Sequence, residues 1–329
     1  MRDLLLIAEV GVNHDGDLRK AIAMTHRAAE AGFDAVKFQY WNIDELLAPT
    51  APAAPYQGEG DQHALLADLR LDTAALATLE REAHGEGLRF IVTPDGERAC
   101  RELLSLHLDA LKIGSGDADN GLLLDRAVRS GLPIIASTGM MTEPELASLV
   151  NRLAPAREVT LLHCVSTYPT ALAENGLNRM REIAELSGRP VGLSDHSIGI
   201  VAAAAAVGMG AVAVEKHVTW SMRARGPDHA MSLPLDEAAE WVRTLRELHL
   251  GLSAAGRSQG ERDNRAVVRK GLYLQRAVAA GSEIAAADLV PLRPLLDGIP
   301  AGELGAVAGH AAVHSLKAGQ LLRWSDLQG

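Results

Sequence analysis

Short apolar runs alternate along this chain with longer stretches of helical spacing. The runs are LLLIA (4–8), DAVKF (34–38), LRFIV (88–92), DALKI (109–113), LPIIA (132–136), VTLLHC (159–164), PVGL (190–193) and AVAV (211–214). A strand followed by a helix, repeated about eight times, predicts an α/β fold in which a parallel sheet closes into a (β/α)8 TIM barrel. The helices announce themselves by their ends. Asp17 precedes LRKAIAMTHRAAEA and Gly32 follows it, Asp72 opens TAALATLEREAHG, and Thr142 opens EPELASLVNRL with Pro144 in the first turn. The stretch from Ile43 to Arg70 breaks the rhythm with the Pro-, Ala- and Gly-rich APTAPAAPYQGEGDQ, and reads as a substrate loop or lid, or as a plain solvent excursion.

A barrel needs roughly 250 residues, which places a catalytic domain over 1–252. The polar, Gly-containing stretch 253–266 reads as a linker, and 267–329 as a small domain of short strands and turns that would be marginal alone. Polar side chains cluster at the ends of the apolar runs. They are Glu9, Lys37, Gln39, Thr93, Lys112, Ser115, Ser137, His163, Ser166, Ser194 to His196, Glu215 and His217. In a closed parallel barrel such positions converge on one mouth, so the pattern implies an enzyme.

Composition narrows the chemistry. The 329 residues are 47% hydrophobic but only 3% aromatic, so the core is aliphatic. A net charge of −10 without a basic block excludes nucleic acid as the main partner. The two cysteines, Cys100 and Cys164, form no metal or redox motif, and the N-terminal apolar run is too short for a signal peptide or membrane span. The expectation is a cytoplasmic protein.

Side chains two apart on a strand share a face, so Lys37 pairs with Gln39 and Glu215 with His217. A buried, unpaired ammonium is costly, and an anion at the mouth would relieve it. Lys112 followed by GSG (114–116), and Ser137-Thr138-Gly139 one strand later, add hydroxyls and backbone N–H groups suited to phosphate or carboxylate. His196 and His217 end adjacent strands and could share a Mn, Zn, Co or Fe ion with open positions. His163 reads as a core histidine, and His14 as rim or support. Glu9, Asp117, Glu215 and Asp228 could orient water, hold sugar hydroxyls or move protons, and spacing alone does not divide those roles.

The strings IAEVGVNHDG (7–16), AVKFQ (35–39), LKIGSGD (111–117), STGM (137–140), LLHCVSTYP (161–169), GLSDHS (192–197), VEKHVT (214–219) and GPDHAMSL (226–233), in this order, resemble the N-acetylneuraminate (sialic acid) synthase family. The segment RKGLYLQRAVAAGSEIAAADLVPLRP (269–294) resembles that family's antifreeze-like (SAF) domain. The resemblance implies condensation of phosphoenolpyruvate with the aldehyde of an N-acetylated amino sugar, yielding a 3-deoxy-2-keto acid and phosphate. It implies a divalent cofactor, Mn2+ before Mg2+ or Co2+, on His196 and His217. Lys37, Thr93, Lys112, Ser115, Ser137, Ser166 and Ser194 match positions around phosphoenolpyruvate. Gln39, Asp117, Tyr168 and Asp228 match the sugar side, and Glu9 is the candidate for acid/base work or water positioning. Arg293 matches an arginine lent to a partner subunit, which implies a domain-swapped homodimer.

Two departures stand out. Asp117 replaces the family's usual Glu, and VTPDG (92–96) stands where the family reads STPF, losing an aromatic and gaining a charge. An unusual acceptor aldehyde is therefore a serious alternative to a standard nonulosonic acid precursor. The rival readings are a Schiff-base aldolase using Lys37 or Lys112 and a non-catalytic sugar-acid sensor.

Overall fold

A computed structural model describes residues 4–48 and 62–328. Two compact units result, Met1–Ser253 and Ala254–Gly329. In the larger unit eight parallel strands close on themselves: β1 (Leu5–Gly11), β2 (Ala35–Trp41), β3 (Arg89–Asp95), β4 (Ala110–Ile113), β5 (Ile134–Ser137), β6 (Val159–Cys164), β7 (Val191–Asp195) and β8 (Ala213–Thr219), with β8 paired back to β1. A two-residue β9 (Leu233–Pro234) lies beside the end of β8. The sheet is the TIM barrel that the repeated strand–helix pattern predicts.

Around it run α1 (Leu18–Ala31), α2 (Ile43–Leu46), α3 (Gln62–Leu69), α4 (Thr73–Gly85), α5 (Glu97–Leu103), α6 (Gly121–Ser130), α7 (Glu143–Leu153), α8 (Arg179–Ser187), α9 (Val201–Gly208) and α10 (Ala238–Ser253). The caps are those that the sequence points to. Asp17 accepts from the Arg19 N–H, Asp72 from the Ala75 N–H, and Thr142 with Glu145 closes a capping box. Gly32 ends α1 in the left-handed conformation. The segment 43–70 is less loop-like than its composition suggests. Its flanks form α2 and α3, whose Ile43, Leu46, Leu65 and Leu66 pack on Val12, Trp41 and Leu69, while residues 49–61 lie outside the described residues.

Strand parity sorts the barrel into layers. Outward side chains such as Val36, Phe38, Phe90, Leu111 and Leu193 meet the helices in the main core. Inward, Ile7, Ala35, Ile91, Ala110, Ile135, Leu162 and Ala213 form an apolar floor. Gly192 is the eighth member, and it must be glycine: a Cβ there would stand 2.3 Å from the Ala213 carbonyl and 2.8 Å from Leu162 Cδ2. Two residues further along every strand, the next inward layer is Glu9, Lys37, Thr93, Lys112, Ser137, Cys164, Ser194 and Glu215. The change from a dry to a polar layer within one pleat of the sheet makes the site.

In the smaller unit an antiparallel pair, β10 (Gly271–Leu274) and β11 (Leu289–Leu292), packs with Val278, Ile284, Ile299 and Leu322 around a core of its own. The polar stretch read as a linker carries a helix, α11 (Gln259–Val268), with Ser258 Oγ accepting from the Glu261 N–H at 3.1 Å. None of its residues is buried, so no apolar stripe betrays it in the sequence. A last short helix is α12 (Leu304–Val307). Among the described residues no helix is long and apolar enough to cross a membrane.

Candidate active site

The polar layer and the residues just above it line a cavity of about 370 Å³ at the C-terminal end of the strands. Its charged floor is tightly knit. Lys37 Nζ lies 2.8 Å from Glu9 Oε1, 3.0 Å from Thr93 Oγ1 and 3.9 Å from Glu215 Oε1. Gln39 Nε2 donates to Glu9 Oε1 at 2.7 Å, and Ser194 Oγ donates to Glu215 Oε1 at 2.9 Å. The second oxygens of both glutamates are buried without a protein partner. Lys112 differs from Lys37: among the described residues its ammonium bonds to neutral oxygens alone, Ser137 Oγ at 2.6 Å and the Ile113 carbonyl at 3.1 Å.

Protonation follows from these neighbours. Burial opposes the charge on Lys37, but the carboxylates of Glu215 and Glu9 outweigh it and raise its pKa. Burial lowers that of Lys112 despite the more distant carboxylates. Burial raises Glu9, only partly offset by Lys37, whereas for Glu215 the pull of Lys112 and Lys37 overcomes burial and lowers it.

Loops complete the walls. Ser115 and Gly116 follow β4 in a short 3-10 turn, and Ser115 Oγ accepts from the Gly139 N–H at 3.0 Å. Gly139 has to lack a side chain here, because a Cβ would come within 2.6 Å of Ser166 Oγ and 2.7 Å of Ser115 Oγ. Above them the ring centroids of His196 and His217 are 5.5 Å apart, with Tyr168 4.3 Å from His196. His196 Nδ1 lies 2.8 Å from the Val165 carbonyl, which leaves Nε2 for another partner. Burial and the neighbouring positive charges hold the pKa of His217 well below the usual histidine value, so its ring is neutral, and Nδ1 has no hydrogen bond although Asp228 Oδ2 is 3.6 Å away. Burial and Glu9 push Asp228 up to about 6. The loop carrying Asp228 is pinned by Ser232, whose Oγ donates to the Asp228 carbonyl at 2.6 Å and accepts from Asn13 Nδ2 at 2.9 Å.

A second cavity, of about 320 Å³, shares Gln39, Asp95, Gly116, Tyr168 and His217 with the first and continues onto Trp41, Leu46, Leu65, Leu66 and Leu69. Two chambers therefore meet at the barrel mouth, and the second combines the polar side chains of Gln39, Asp95, His217 and Asp228 with one apolar wall of Trp41 and the four leucines.

The NeuB family profile matches residues 24–256, and the SAF domain profile matches residues 269–328. The chain belongs to the NeuB family. It is 35% identical, over 98% of its length and 94% of the relative's, to the N,N'-diacetyllegionaminic acid synthase of Legionella pneumophila. It is 32% identical to the human N-acetylneuraminate-9-phosphate synthase over 76% of this chain and 71% of that one. Among solved structures, the sialic acid synthetase of Leptospira borgpetersenii, crystallised with citrate, superposes with a TM-score of 0.72 at 28% identity over 80% of this chain and 90% of that one. This NeuB-family chain is thus an enzyme of the acid-synthase kind with a C-terminal SAF domain.

Most candidate residues of the NeuB chain come together: Glu9, Lys37, Gln39, Thr93, Lys112, Ser115, Ser137, Ser166, Tyr168, Ser194, His196 and His217 line the first cavity, and Asp228 the second. Asp117 does not join them. Its Oδ2 accepts from the Gly96 N–H at 3.2 Å and its Oδ1 from Asn120 Nδ2 at 2.8 Å, so it braces the loops after β3 and β4 and lines neither cavity. Arg293 is an exposed residue of the smaller unit. His163 sits on the outer face of β6, bonded to the Asn175 carbonyl at 2.6 Å, as a core histidine would be. His14 is buried and accepts from the Gly16 N–H at 3.0 Å, a support rather than a rim residue.

Three cavity residues lie outside the candidates that the sequence singles out for roles: Cys164, Met140 and Asp95. Cys164 shares the inward parity of Leu162, and its Sγ is 3.8 Å from His196 Nδ1. Asp95 is the charge gained in VTPDG, inward by the same parity as Thr93.

Proposed function

We propose that this protein condenses phosphoenolpyruvate with the aldehyde of an N-acetylated amino sugar, forming a sialic-acid-like 3-deoxy-2-keto acid and phosphate. The observation that carries this reading is Lys112, a buried ammonium at the cavity floor whose hydrogen bonds, among the described residues, all go to neutral oxygens. An anion placed there, within reach of Ser115, Ser137 and the backbone of the 114–116 turn, relieves the cost of burial. Lys37, already shared with Glu9 and Glu215, helps bind the same anionic substrate and keeps the two carboxylates in place.

With both substrates held, C3 of phosphoenolpyruvate attacks the aldehyde carbon while the aldehyde oxygen takes up a proton. Water adds at C2, and the tetrahedral intermediate breaks its C–O bond to release phosphate and leave the 2-keto acid. Much of the acceleration comes from fixing the two reactants at close range. Glu9, with its raised pKa and its free Oε2, is the group placed to carry a proton during water addition. Ser194 and Gln39 orient the two glutamates.

The residues fit a divalent ion. His217 is neutral with a buried, unpartnered ring nitrogen, and His196 is oriented through Nδ1 so that Nε2 would be its ligand atom, once the proton that, against burial, Cys164 favours on the ring is displaced. Among the described residues no group of three His, Cys, Asp or Glu is arranged to hold a metal, so His196 and His217 would hold it with positions left open. When bound, Mn2+, or Mg2+ or Co2+ in its place, would polarise the aldehyde oxygen as a Lewis acid.

Phosphate release from phosphoenolpyruvate, assayed with Mn2+ over N-acetylmannosamine and its 6-deoxy diamino relatives, tests the reading. Release that needs both an aldehyde and a metal, and stops with chelator, supports it; chelator-insensitive turnover trapped by borohydride would establish a Schiff-base aldolase instead. The homodimer, the service of Arg293 to a partner's site and a cytoplasmic location belong to the same proposal. Sedimentation of the full chain tests the dimer.

A further inference from the structure

Where the two cavities meet stands a carboxyl that no hydrogen bond or ion pair among the described residues reaches. Asp95 ends β3 on the inward face, two residues beyond Thr93 and four beyond Ile91, and lines both chambers. The cavity's nearby donors are engaged elsewhere, although the charges of Lys37 and Lys112 are felt at Asp95. Lys37 is bonded to Glu9 and Thr93, Lys112 to Ser137, and Gln39 to Glu9. The Gly96 N–H goes to Asp117. Among the described residues no hydrogen bond or ion pair reaches the Asp95 side chain. On one side of it lie the phosphate-type donors of the polar chamber, and on the other the wall of Trp41, Leu46, Leu65, Leu66 and Leu69.

We propose that Asp95 selects the acceptor, its carboxyl binding an N–H or O–H of the aldehyde substrate next to an apolar group that packs on the Trp41 wall. The inference rests on the condensation reading and adds to it a residue and a chemical class. A carboxyl at this junction repels phosphate and carboxylate, so phosphoenolpyruvate stays with Lys112 and the acceptor brings no anionic group to this point. Burial and the Asp117 carboxylate push Asp95 up to about 7, which lets it meet the acceptor either as carboxylate or as acid. An aromatic in its place, as in the STPF pattern, could offer packing but no such hydrogen bond. A site built to bond a donor rejects the analogue that lacks it far more strongly than an apolar pocket rejects a missing methylene.

Steady-state kinetics of the full chain with Mn2+ and saturating phosphoenolpyruvate would compare the wild type, Asp95→Asn and Asp95→Phe. Each amino-sugar aldehyde is paired with analogues in which a single hydroxyl is deoxygenated or a single amide or amine N–H is methylated. The expected result is a fall in kcat/KM for the best acceptor of roughly 10- to 100-fold in Asp95→Phe, the size of a lost charge-assisted hydrogen bond. The KM for phosphoenolpyruvate should stay within about twofold. One analogue should be used equally poorly by the wild type and Asp95→Phe, and its identity tells a hydroxyl from an amide or an amine. Asp95→Asn, which keeps shape and volume, should retain part of the selectivity for a hydroxyl or amide donor and lose it for an ammonium. A wild type that is active while Asp95→Phe and Asp95→Asn keep its acceptor kcat/KM, or lose phosphoenolpyruvate affinity in step with it, overturns the proposal alone. A wild type that releases no phosphate with any aldehyde overturns the condensation reading, and this inference with it.

Discussion

Behind the two histidines, on the helix-facing side of the barrel, lies a buried ion pair whose removal has a calculable cost. Lys216 Nζ is 2.8 Å from Asp195 Oδ2 and also donates to the Ser197 carbonyl, while Asp195 Oδ1 accepts from Ser197 N–H at 2.8 Å and Oγ at 2.6 Å. Both side chains are essentially inaccessible, at 1% and 0% exposure. Asp195→Asn keeps the shape and strands the ammonium. Breaking one partner of a buried pair costs about 3–5 kcal/mol. The upper end is also bounded chemically, because the lysine can shed its proton: lowering a pKa from about 10.4 to 7 costs roughly 4.6 kcal/mol at 1.36 kcal/mol per unit. At about 2–4 °C per kcal/mol for a unit of this size, thermal unfolding of the barrel should fall by about 6–20 °C. Urea denaturation followed by far-UV circular dichroism would give the free energy directly. The double variant Asp195→Asn with Lys216→Met should recover at least about 2 kcal/mol of the loss, since the uncompensated charge is then gone. A single variant within about 1 kcal/mol of the wild type, or a double variant no better than the single, would refute the reasoning. Asp195 directly precedes His196 and Lys216 directly precedes His217, so the single variant should also weaken Mn2+ binding, read by electron paramagnetic resonance.

Other outcomes follow from the same geometry. Lys112→Met should raise the KM for phosphoenolpyruvate by roughly 100-fold or more through loss of a charge-assisted contact, with acceptor KM little changed; an unchanged KM in a pre-equilibrium titration would remove Lys112 from the anion site. His196→Ala and His217→Ala should each reduce Mn2+ affinity at least about 10-fold by direct titration, while chelator abolishes turnover that added Mn2+ restores; unaltered binding in both variants would move the ion elsewhere. Asp95 has a folded pKa of about 7 against 3.8 for the free group, so the native state holds its proton more tightly. Its contribution to stability is therefore full below about pH 4 and is lost as pH rises towards 7. The displacement corresponds to roughly 4 kcal/mol at most, and solvent screening at this partly exposed group reduces it to on the order of 2. Asp95→Asn should accordingly be the more stable protein at pH 8, and a wild-type stability that does not decline relative to Asp95→Asn between pH 4 and 7 would contradict this.

The barrel was legible because its floor is apolar and its strands keep a strict alternation, so LLLIA, DAVKF and AVAV announce both the fold and the face on which Glu9, Lys37 and Glu215 stand. The same alternation reaches Asp95 and Cys164, yet a Pro-Asp-Gly string resembles a turn and a cysteine among Leu and His resembles core, so neither drew a role. Asp117 shows the opposite limit. Its place after the Gly-Ser-Gly turn is readable, but the direction of its carboxylate depends on the Gly96 N–H, 21 residues earlier in the chain, and on Asn120. Helix α11 escaped because an exposed polar helix has no periodic apolar signal, only the cap at Ser258.

The dry floor of Ile7, Ile91, Ile135 and Leu162 has an electrical consequence. It insulates the layer above from counter-ions below, and that layer balances itself: Lys37 and Lys112 against Glu9 and Glu215. A polyanion arriving from the mouth upsets this neutrality by its entire charge, and the response closest to hand is protonation of Glu9, whose burial already favours it. Substrate capture in such a barrel should draw a proton from bulk water. Calorimetry of phosphoenolpyruvate binding in buffers of different ionisation enthalpy would then register protons entering with the ligand, and affinity would decline as the medium becomes more alkaline.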